Sequence, residues 1–529
     1  MSALASIAAA SASTAIDASA TTPATIVDAT SIASAAWNPY GGLPLPVQLA
    51  LLGLLLVALM GLVMVTVLLV QSARERRRQA RAVEGADESG FLWVYVVPAL
   101  DEEVTIRDSV TRLAAVEASN KIVLVIDDGS EDSTPTILAA LAREMPGLHV
   151  LRRTMPNARN GKSAGLDDAW RHLHEDVLLR PEYRRWSTDR VIIGVVDADG
   201  RIAPDSPPAI AAAFADERVG GVQSLVRIYN RRHALTWAQH IEFAITAHVF
   251  QLGRSRWGTA NMGGNGQYVR LAALDDVVAE DHLPREIDRG PWRDRLTEDQ
   301  DIGIRLVRAG WRGAQTVLTA VEQQGVTSLR RLWRQRIRWA QGAWQSVPML
   351  RGAGAMDASV AARVDHAHYL LTPVLQVVMS LGLVGSLWLF VVEGVPWAGG
   401  GMWFVVAFVV LATAPVYAAL VTIAPAGVLR PLVALGYLLP YLAYTWVLWP
   451  VFAISLAREA VGVRSWAKTA REPLDAHLSG VEHDFATGAL ALGAGVAATA
   501  AAAAVGAAAE AAAGAASGAR AAARPTKLA

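Results

Sequence analysis

Residues 123–130 read Val-Leu-Val-Ile-Asp-Asp-Gly-Ser, a run of apolar β-formers that ends in two carboxylates and a turn. This pattern predicts a buried strand of a parallel sheet. Ligands of open α/β sheets bind beyond the carboxyl ends of the strands, so Asp127 and Asp128 fall where a site is expected. The alternative is a surface turn at Ser130 to Thr134 that caps the next helix.

The same pattern recurs on both sides of this stretch, from about residue 91 to residue 327. Short β-rich runs alternate there with helix-length stretches, which predicts an α/β domain with a mainly parallel sheet. A second strand is followed by Asp197-Ala198-Asp199-Gly200, and two such carboxylates can bind a divalent ion that bridges a diphosphate. The four candidate strands are Leu92 to Val97, Ile122 to Ile126, His149 to Leu151 and Val191 to Val196.

Composition limits the class of protein. The 529 residues are 53% hydrophobic, which is enough for one sizeable soluble domain and several membrane spans. The 48 basic and 48 acidic residues balance, so no global basic field favours nucleic acid as a partner. Because the chain has no cysteine, a metal must be held by oxygen or histidine ligands, which favours Mg²⁺ or Mn²⁺.

Apolar segments predict about four membrane helices. Residues 47–70 carry no charge and are followed by an arginine-rich run, so they predict a span with the chain from residue 72 onward in the cytoplasm. The alternative for the basic run is a solvated helix face. Residues 1–46 are rich in Ala, Ser and Thr and are predicted to be disordered. Three more apolar segments lie within 369–456: residues 369–392, 402–423 and 431–456.

The side of the C-terminus has two opposing predictions. Three spans counted from a cytoplasmic domain place residues 457–484 outside, whereas the basic residues of that segment favour the cytoplasm. A re-entrant or miscounted segment would reconcile them. The tail, residues 485–529, is Ala-rich and is predicted to be disordered or loosely helical.

Thr297-Glu298-Asp299 precedes an amphipathic helix and is a candidate acid-base site. A positioned carboxylate can take a proton from a hydroxyl, although acids at a helix start also serve as simple caps. Residues 328–350 follow as an Arg- and Trp-rich helix that can lie in the lipid interface. On this helix Arg338 can hold a diphosphate bidentately, and Trp339 offers an apolar face to a sugar or acceptor.

Two glycine-containing segments are not nucleotide fingerprints. Asn160-Gly161-Lys162-Ser163 lacks the earlier glycine of a P-loop, since Pro156 stands at that position. Lys162 either reaches a phosphate or nucleotide edge or is a solvent lysine before a helix. Residues 263–267, Gly-Gly-Asn-Gly-Gln, have no surrounding βα unit with dinucleotide spacing. The candidate sugar-contacting residues there are Gly264, Asn265 and Gln267.

Taken together, these motifs resemble the family 2 glycosyltransferases with an α/β GT-A fold. They are similar to the membrane-embedded branch that includes cellulose, chitin, hyaluronan and poly-N-acetylglucosamine synthases. Pro98-Ala99-Leu100-Asp101-Glu102-Glu103 resembles the family's PxYNE opening, with Leu100 and Asp101 departing from it. The resemblance implies nucleotide-sugar binding by Pro98, Glu102, Asp127, Asp128 and Lys162. It also implies a metal-diphosphate DxD motif at Asp197 and Asp199 and a general base at Asp299 in a TED motif. A QxxRW motif is implied at Gln335, Arg338 and Trp339.

The resemblance also implies a reaction and a location. The chain is expected to be a multi-pass protein of the cell membrane with a cytoplasmic catalytic domain. It is expected to be an inverting hexosyltransferase that uses a nucleotide-sugar donor, expected to be a UDP-sugar, and a growing exported polysaccharide as acceptor. Residues 464–471 resemble a WxKTxR stretch, which favours a cytoplasmic position for that segment. The first alternative is a glycolipid synthase such as a diacylglycerol glycosyltransferase. The second is a nucleotide-binding membrane transporter or scaffold, which the absence of charges inside the four apolar segments disfavours.

Overall fold

A computed structural model describes residues 43–82, 86–280, 290–392 and 402–463. Within these residues, four strands lie where the sequence predicts them, each within two residues of the predicted bounds. Three predicted segments lie outside the described residues: residues 1–42 of the N-terminal segment predicted to be disordered, the stretch that resembles WxKTxR, and the Ala-rich tail. The strands are β1 Leu92–Ala99, β2 Lys121–Asp127, β3 Leu148–Arg152, β4 Val191–Val195, β5 Arg201–Ile202, β6 Val219–Ile228, β7 Gln267–Arg270 and β8 Arg312–Gln323.

Helices alternate with these strands and then continue alone to the end of the described chain. The first eight are α1 Leu45–Ala82, α2 Ile106–Ala114, α3 Thr134–Glu144, α4 Lys162–Glu175, α5 Ser206–Phe214, α6 Ala234–Ile245, α7 Leu252–Ser255 and α8 Leu271–Glu280. A π-helical turn, Thr246–Gln251, joins α6 to α7. The last six are α9 Glu298–Arg308, α10 Leu329–Ser346, α11 Val360–Val392, α12 Met402–Ile423, α13 Arg430–Leu448 and α14 Val451–Ala460.

The strands form one sheet in the order β3-β2-β1-β4-β7-β6-β8-β5. The half that the sequence predicts, β3-β2-β1-β4, is parallel throughout. The other half is mixed, because β7 runs antiparallel to both of its neighbours, β4 and β6. The α/β class is therefore confirmed, but the sheet is less parallel than the pattern of apolar runs predicts.

The centre of the sheet is buried on both faces. Trp93 and Tyr95 of β1 pack into one apolar cluster, whereas Val94 and Val96 pack into a second cluster on the opposite face. Helices cover both faces of the sheet, so successive side chains of β1 are buried on alternate faces. This explains why β1, β2 and β4 are continuous apolar runs, and it places their carboxyl ends together at one edge.

The long apolar segments of the described chain are helical. Within the described residues, three helical stretches are long and apolar enough to cross a bilayer: Leu45–Ala82, Val360–Val392 and Arg430–Ala460, the last comprising α13 and α14. A shorter apolar stretch, Val409–Ile423, belongs to α12. These four apolar segments agree roughly with the four predicted from hydropathy.

Candidate active site

The first part of the site lies at the end of β2. Asp127 and Asp128 are 1% and 8% exposed. The Asp127 carboxylate accepts a hydrogen bond from the Ser130 backbone N–H at 2.9 Å, and Arg152 lies 3.6 Å from its other oxygen. The pair is therefore rigidly placed at the sheet edge, as the strand-end argument predicts.

Arg153 is a residue of this site that the sequence reasoning missed. Its guanidinium, 6% exposed, donates to Asp128 and, at 2.6 Å, to Asp168 of α4. The Arg159 backbone N–H also donates to Asp128, at 2.9 Å. Burial raises the pKa of Asp128, and these donors counteract that rise. Position 153 carries no motif, so only the parallel pairing of β2 with β3 brings it to the carboxylate.

Lys162 connects two motifs that are more than 100 residues apart in the chain. Its Nζ lies 2.8 Å from an Asp197 oxygen and 3.4 Å from a Glu298 oxygen. The ammonium is thus shared between the DxD segment and the Thr297-Glu298-Asp299 segment. Although burial opposes the charged form, these carboxylates raise the pKa of Lys162 above its ordinary value. Lys162 is a positioned cation, as the phosphate-contact interpretation requires.

The DxD segment is held by the glycine-containing segment, residues 263–267. The Asp197 backbone N–H donates to Asn265 Oδ1 at 3.1 Å, and Asn265 Nδ2 donates to Gln323 Oε1 at 2.9 Å. Asp199 is 6% exposed and accepts a 3.3 Å hydrogen bond from the Gln324 backbone N–H. Asn265 therefore positions the DxD loop.

The donor set at the DxD fits a hard divalent cation in its chemistry. Asp197 and Asp199 offer carboxylate oxygens, the ligand type that Mg²⁺ and Mn²⁺ prefer. The described residues contain no cluster of three or more acidic or histidine ligands. An ion here would complete its coordination with water and ligand phosphates, which is how Mg²⁺ sites in phosphate-transfer enzymes are usually built.

Asp299 faces the same glycine-containing segment. It lies in the first turn of α9, and its Oδ1 accepts a 2.8 Å hydrogen bond from the Gln300 backbone N–H. Gly264 has a φ of +82°, and a Cβ built there would lie 2.9 Å from Asp299 Oδ2. Only a residue without a side chain fits this approach. The structure therefore brings Gly264 to the candidate base.

The environment of Asp299 suits a base that works near neutral pH. Burial raises the pKa of its carboxyl to about 7, and the negative charge of Glu298 contributes to the rise. The positive charges of Lys162 and Arg338 oppose it. A carboxylate with this pKa can accept a proton efficiently at physiological pH, because a base works best when its pKa lies near the operating pH.

Helix α10 covers the Thr297-Glu298-Asp299 segment. Arg338 Nη1 donates to the Leu296 carbonyl at 3.4 Å, directly before that segment. Gly342, on the next turn of α10, faces Thr297 so closely that a Cβ there would overlap the Thr297 side chain. Trp339 stacks edge-on against Phe243, with ring centroids 6.1 Å apart. The QxxRW motif thus lies beside the candidate base, and Gly342 is a further contact residue.

Helix α11 adds a polar contact that no motif indicated. The Tyr369 hydroxyl accepts hydrogen bonds from Gln300 Nε2 at 3.0 Å and from Asn261 Nδ2 at 2.9 Å. The start of α11 is fixed by a buried ion pair between Arg254 and Asp365, 2.7 Å apart. The first apolar helix after the α/β domain therefore contacts the residue next to Asp299. Hydropathy places a span here but cannot indicate this contact.

Other predicted site residues have mainly structural contacts in the described part of the chain. Glu102 accepts a 3.1 Å hydrogen bond from Thr105 Oγ1 in the segment between β1 and α2. Gln335 accepts a 3.2 Å hydrogen bond from its neighbour Arg336. Gln267 is 1% exposed within β7. Of the predicted acceptor residues, Gly264 is the one that the structure places against Asp299.

Comparison with known proteins relates the α/β domain to glycosyltransferases. Residues 93–342 match the family model "Glycosyltransferase like family 2". Beta-monoglucosyldiacylglycerol synthase from Trichormus variabilis is 34% identical over 254 residues, 47% of this chain and 48% of that protein. Poly-beta-1,6-N-acetyl-D-glucosamine synthase from Staphylococcus aureus is 25% identical over 251 residues, 47% of this chain and 53% of that protein. The chain therefore spans about half the length of these relatives.

Two solved structures of glycosyltransferases are weakly similar to the chain. The mannosyltransferase PcManGT from Pyrobaculum calidifontis, in complex with GDP-Man and Mn²⁺, is 17% identical with a TM-score of 0.44, covering 76% of this chain and 100% of that chain. Residues 1–349 of S. aureus TarS in complex with UDP-GlcNAc are 15% identical with a TM-score of 0.33, covering 70% and 92%.

Proposed function

We propose, on the premise that residues 93–342 form a glycosyltransferase family 2-like domain, that the chain is an inverting, membrane-bound glycosyltransferase. The observation that carries the proposal is the convergence of Lys162, Asp197, Glu298 and Asp299 at one edge of the sheet. This edge combines a cation for a diphosphate, a DxD segment and a carboxylate whose pKa is raised to about 7. These are the groups that glycosyl transfer from a nucleotide-sugar requires.

Each group has a role in a single displacement. Asp299 takes the proton of an acceptor hydroxyl, and the acceptor oxygen forms a bond to the anomeric carbon. The bond from that carbon to the diphosphate oxygen breaks, and the nucleoside diphosphate leaves with the electron pair. Lys162 and Arg338 stabilise the negative charge that develops on the leaving group. Attack opposite the leaving group inverts the anomeric centre.

The donor side is proposed to bind at the ends of β1, β2 and β4. Asp127 and Asp128 would hold the nucleoside of a UDP-sugar, together with Glu102 in the segment between β1 and α2. Asp197 and Asp199 would hold Mg²⁺ or Mn²⁺. When bound, such an ion offsets the charge of the diphosphate. Asn265 and Gln323 keep the DxD loop in place for this task.

The acceptor is proposed to reach Asp299 from the membrane side, because α10 and α11 contact the base segment there. The leading acceptor is a growing exported polysaccharide, which the QxxRW motif favours. The second candidate is a membrane lipid, and a specific observation favours it: the 34% identity to monoglucosyldiacylglycerol synthases exceeds the 25% identity to the poly-N-acetylglucosamine synthase.

Product size separates these two acceptors. Membranes that contain the full chain are incubated with radiolabelled UDP-glucose or UDP-N-acetylglucosamine, and the products are separated into lipid extract and polymer. A labelled high-mass polymer supports the polysaccharide acceptor, whereas a lipid that carries one sugar establishes the second candidate. Membranes that contain Asp299→Asn serve as the control for host enzymes. Absence of transfer with any nucleotide-sugar donor would refute the proposed activity itself.

We further propose that the α/β domain is cytoplasmic and that α13 and α14 run along it. Tyr441 and Tyr444 of α13 share a buried apolar cluster with Ile241 of α6. At the other end of this stretch, the Val463 carbonyl accepts a 2.9 Å hydrogen bond from Gln341 of α10. With α11 and α12 as a pair of crossings, residue 463 would return to the catalytic side, which agrees with the basic residues that follow it.

Labelling of a single introduced cysteine tests this arrangement, since the chain has none of its own. Ala460→Cys should react with a membrane-impermeant maleimide in inside-out vesicles and not in intact cells. The opposite labelling pattern would place the end of α14 outside.

A further inference from the structure

A cluster of basic side chains lies where α1 and α12 meet the α/β domain, away from Asp299. Arg76, near the end of α1, donates from Nη2 to the His248 carbonyl of the π-helical turn at 3.2 Å. Arg430, at the start of α13, donates from Nη2 to the Thr422 carbonyl near the end of α12 at 2.6 Å. The positive charges of Arg76, Arg227 and Arg430 all act on His248. We call these four residues, together with His240, the basic cluster.

Several polar atoms of the basic cluster have no partner. His240 and His248 are each 7% exposed. Among the described residues, no hydrogen-bond partner is present for Nε of Arg76, Nε of Arg430, both ring nitrogens of His248 or Nδ1 of His240. A buried polar group without a partner is destabilising, so several at one place call for an explanation. An acceptor that is absent from the chain itself would satisfy the donors.

The electrostatics of the basic cluster favour an anion. Burial first, and then the positive charges of the neighbouring arginines, lower the pKa of His248 to about 3. The pKa of His240 is lowered to about 3 by burial first and then by Arg231, Arg227 and His248. Both imidazoles are therefore neutral at physiological pH, and each offers one N–H donor beside permanently charged guanidinium groups. Glu322 is an acid whose charge acts on Arg227.

We propose that the basic cluster binds the phosphate of an anionic phospholipid headgroup. Guanidinium groups hold phosphate oxygens through short, charge-assisted hydrogen bonds, and a neutral imidazole N–H can add another. Inorganic phosphate shares this chemistry, but the position of the basic cluster favours a lipid. Arg76 follows the apolar stretch of α1, and Arg430 follows α12, so both lie at the level where headgroups meet the ends of membrane helices.

Such a lipid would join three parts of the molecule. Its phosphate would contact α1 through Arg76, the α/β domain through His248 and Arg227, and α13 through Arg430. Because none of these residues contacts Asp299, the site is independent of the proposed transfer reaction. It would hold the α/β domain against membranes that contain anionic lipid.

Lipid binding to the purified full-length chain tests the proposal. Native mass spectrometry compares phosphatidylglycerol, phosphatidylcholine and inorganic phosphate as probes, and thermal melting gives a second readout. The test variant is the double substitution Arg76→Gln and Arg430→Gln. The matched control is Arg74→Gln with Arg77→Gln, which removes the same charge from exposed positions on α1. If the test variant does not fold, Arg430→Gln alone replaces it.

The expected result is a retained phosphatidylglycerol adduct and a higher melting temperature for the wild type and the control. The test variant should bind phosphatidylglycerol about tenfold more weakly or worse, the effect of losing at least one charge-assisted contact. Equal losses in both double variants would reduce the effect to general surface charge and overturn the proposal. Equal binding of phosphatidylcholine, or displacement of the lipid by an equal concentration of inorganic phosphate, would also overturn it.

Discussion

The two halves of the candidate active site are built differently. The proposed donor half consists of side chains at or just beyond strand ends, such as Asp127 at the end of β2 and Asp197 two residues after β4. The acceptor half consists of helices α9, α10 and α11, whose contacts join residues far apart in sequence, such as Gly342 with Thr297 and Tyr369 with Gln300. Strand ends meet at one edge by the geometry of a parallel sheet, whereas helix contacts depend on how each pair packs.

Lys162 contacts both halves. Its ammonium lies between Asp197 of the donor half and Glu298 of the acceptor half. When a diphosphate binds, it would compete for this ammonium and leave Glu298 with a weaker partner. The difference between the halves is therefore best tested by changes that affect one half and spare the other.

Asp299→Asn is expected to give the largest difference between its effect on turnover and its effect on donor binding. This change keeps the shape of the side chain but removes the base, so kcat should fall by about 10² to 10⁴, the usual contribution of a positioned general base. Donor binding should stay near normal, because the donor half is untouched. Initial rates and calorimetric titration with the nucleoside diphosphate measure the two effects on the same preparation.

Asp294→Asn is the matched control, since Asp294 is an exposed acid a few residues before the base. It should leave both rate and donor binding near the wild-type values. Turnover of Asp299→Asn close to that of this control would show that another group accepts the proton.

The donor half could be predicted from the sequence because its signals are local. An apolar run followed by Asp127 and Asp128 specifies both the strand and the place of the carboxylates. Arg153 was not predicted as a site residue because it belongs to no sequence motif. It contacts Asp128 only because β2 pairs with β3. Short β7 was missed for a related reason: four residues inside a glycine-containing stretch show no clear alternation, although they make the sheet mixed.

The acceptor half was predicted only as far as its motifs reach. Thr297 to Asp299 and the QxxRW helix carry composition that indicates chemistry, and the structure brings them together. Gly342 and Tyr369 carry none, because a glycine inside a helix and a tyrosine at the start of a span look like ordinary structural residues. Their contacts depend on the packing of α10 and α11 against α9, which is tertiary information.

Gly342→Ala tests whether that packing determines the position of the base. A Cβ at this position overlaps the Thr297 side chain, so Asp299 must move with its segment. A displacement of about 1 Å can cost roughly 10²-fold in rate, and we expect a loss of that order in kcat. Donor affinity should change little, as in the Asp299 variant, and circular dichroism should show an unchanged helix content.

Gly436→Ala on α13 provides the control for the glycine-to-alanine change within a helix. A Cβ there meets no atom within 4 Å, so activity should remain near the wild-type rate. If both variants lost activity equally, the effect would arise from the membrane helices in general and not from the contact with Thr297.

The smallest effect expected is a pH dependence that belongs to the proposed acceptor half alone. Because the pKa of Asp299 is raised to about 7, the carboxyl becomes protonated as the pH falls through 7 and can no longer accept a proton. The value of kcat/KM should therefore fall about tenfold for each pH unit below that point, which gives the pH profile an acidic limb. Nucleoside diphosphate affinity should not show this limb.

Glu298→Gln removes a negative charge that helps to raise the pKa of Asp299, so it should move the acidic limb to lower pH. A limb already at the ordinary pKa of an aspartate, or one that Glu298→Gln leaves in place, would show that burial and the neighbouring charge do not tune the base. In that case the acceptor half would resemble the donor half, with carboxylates that are positioned but not adjusted in basicity.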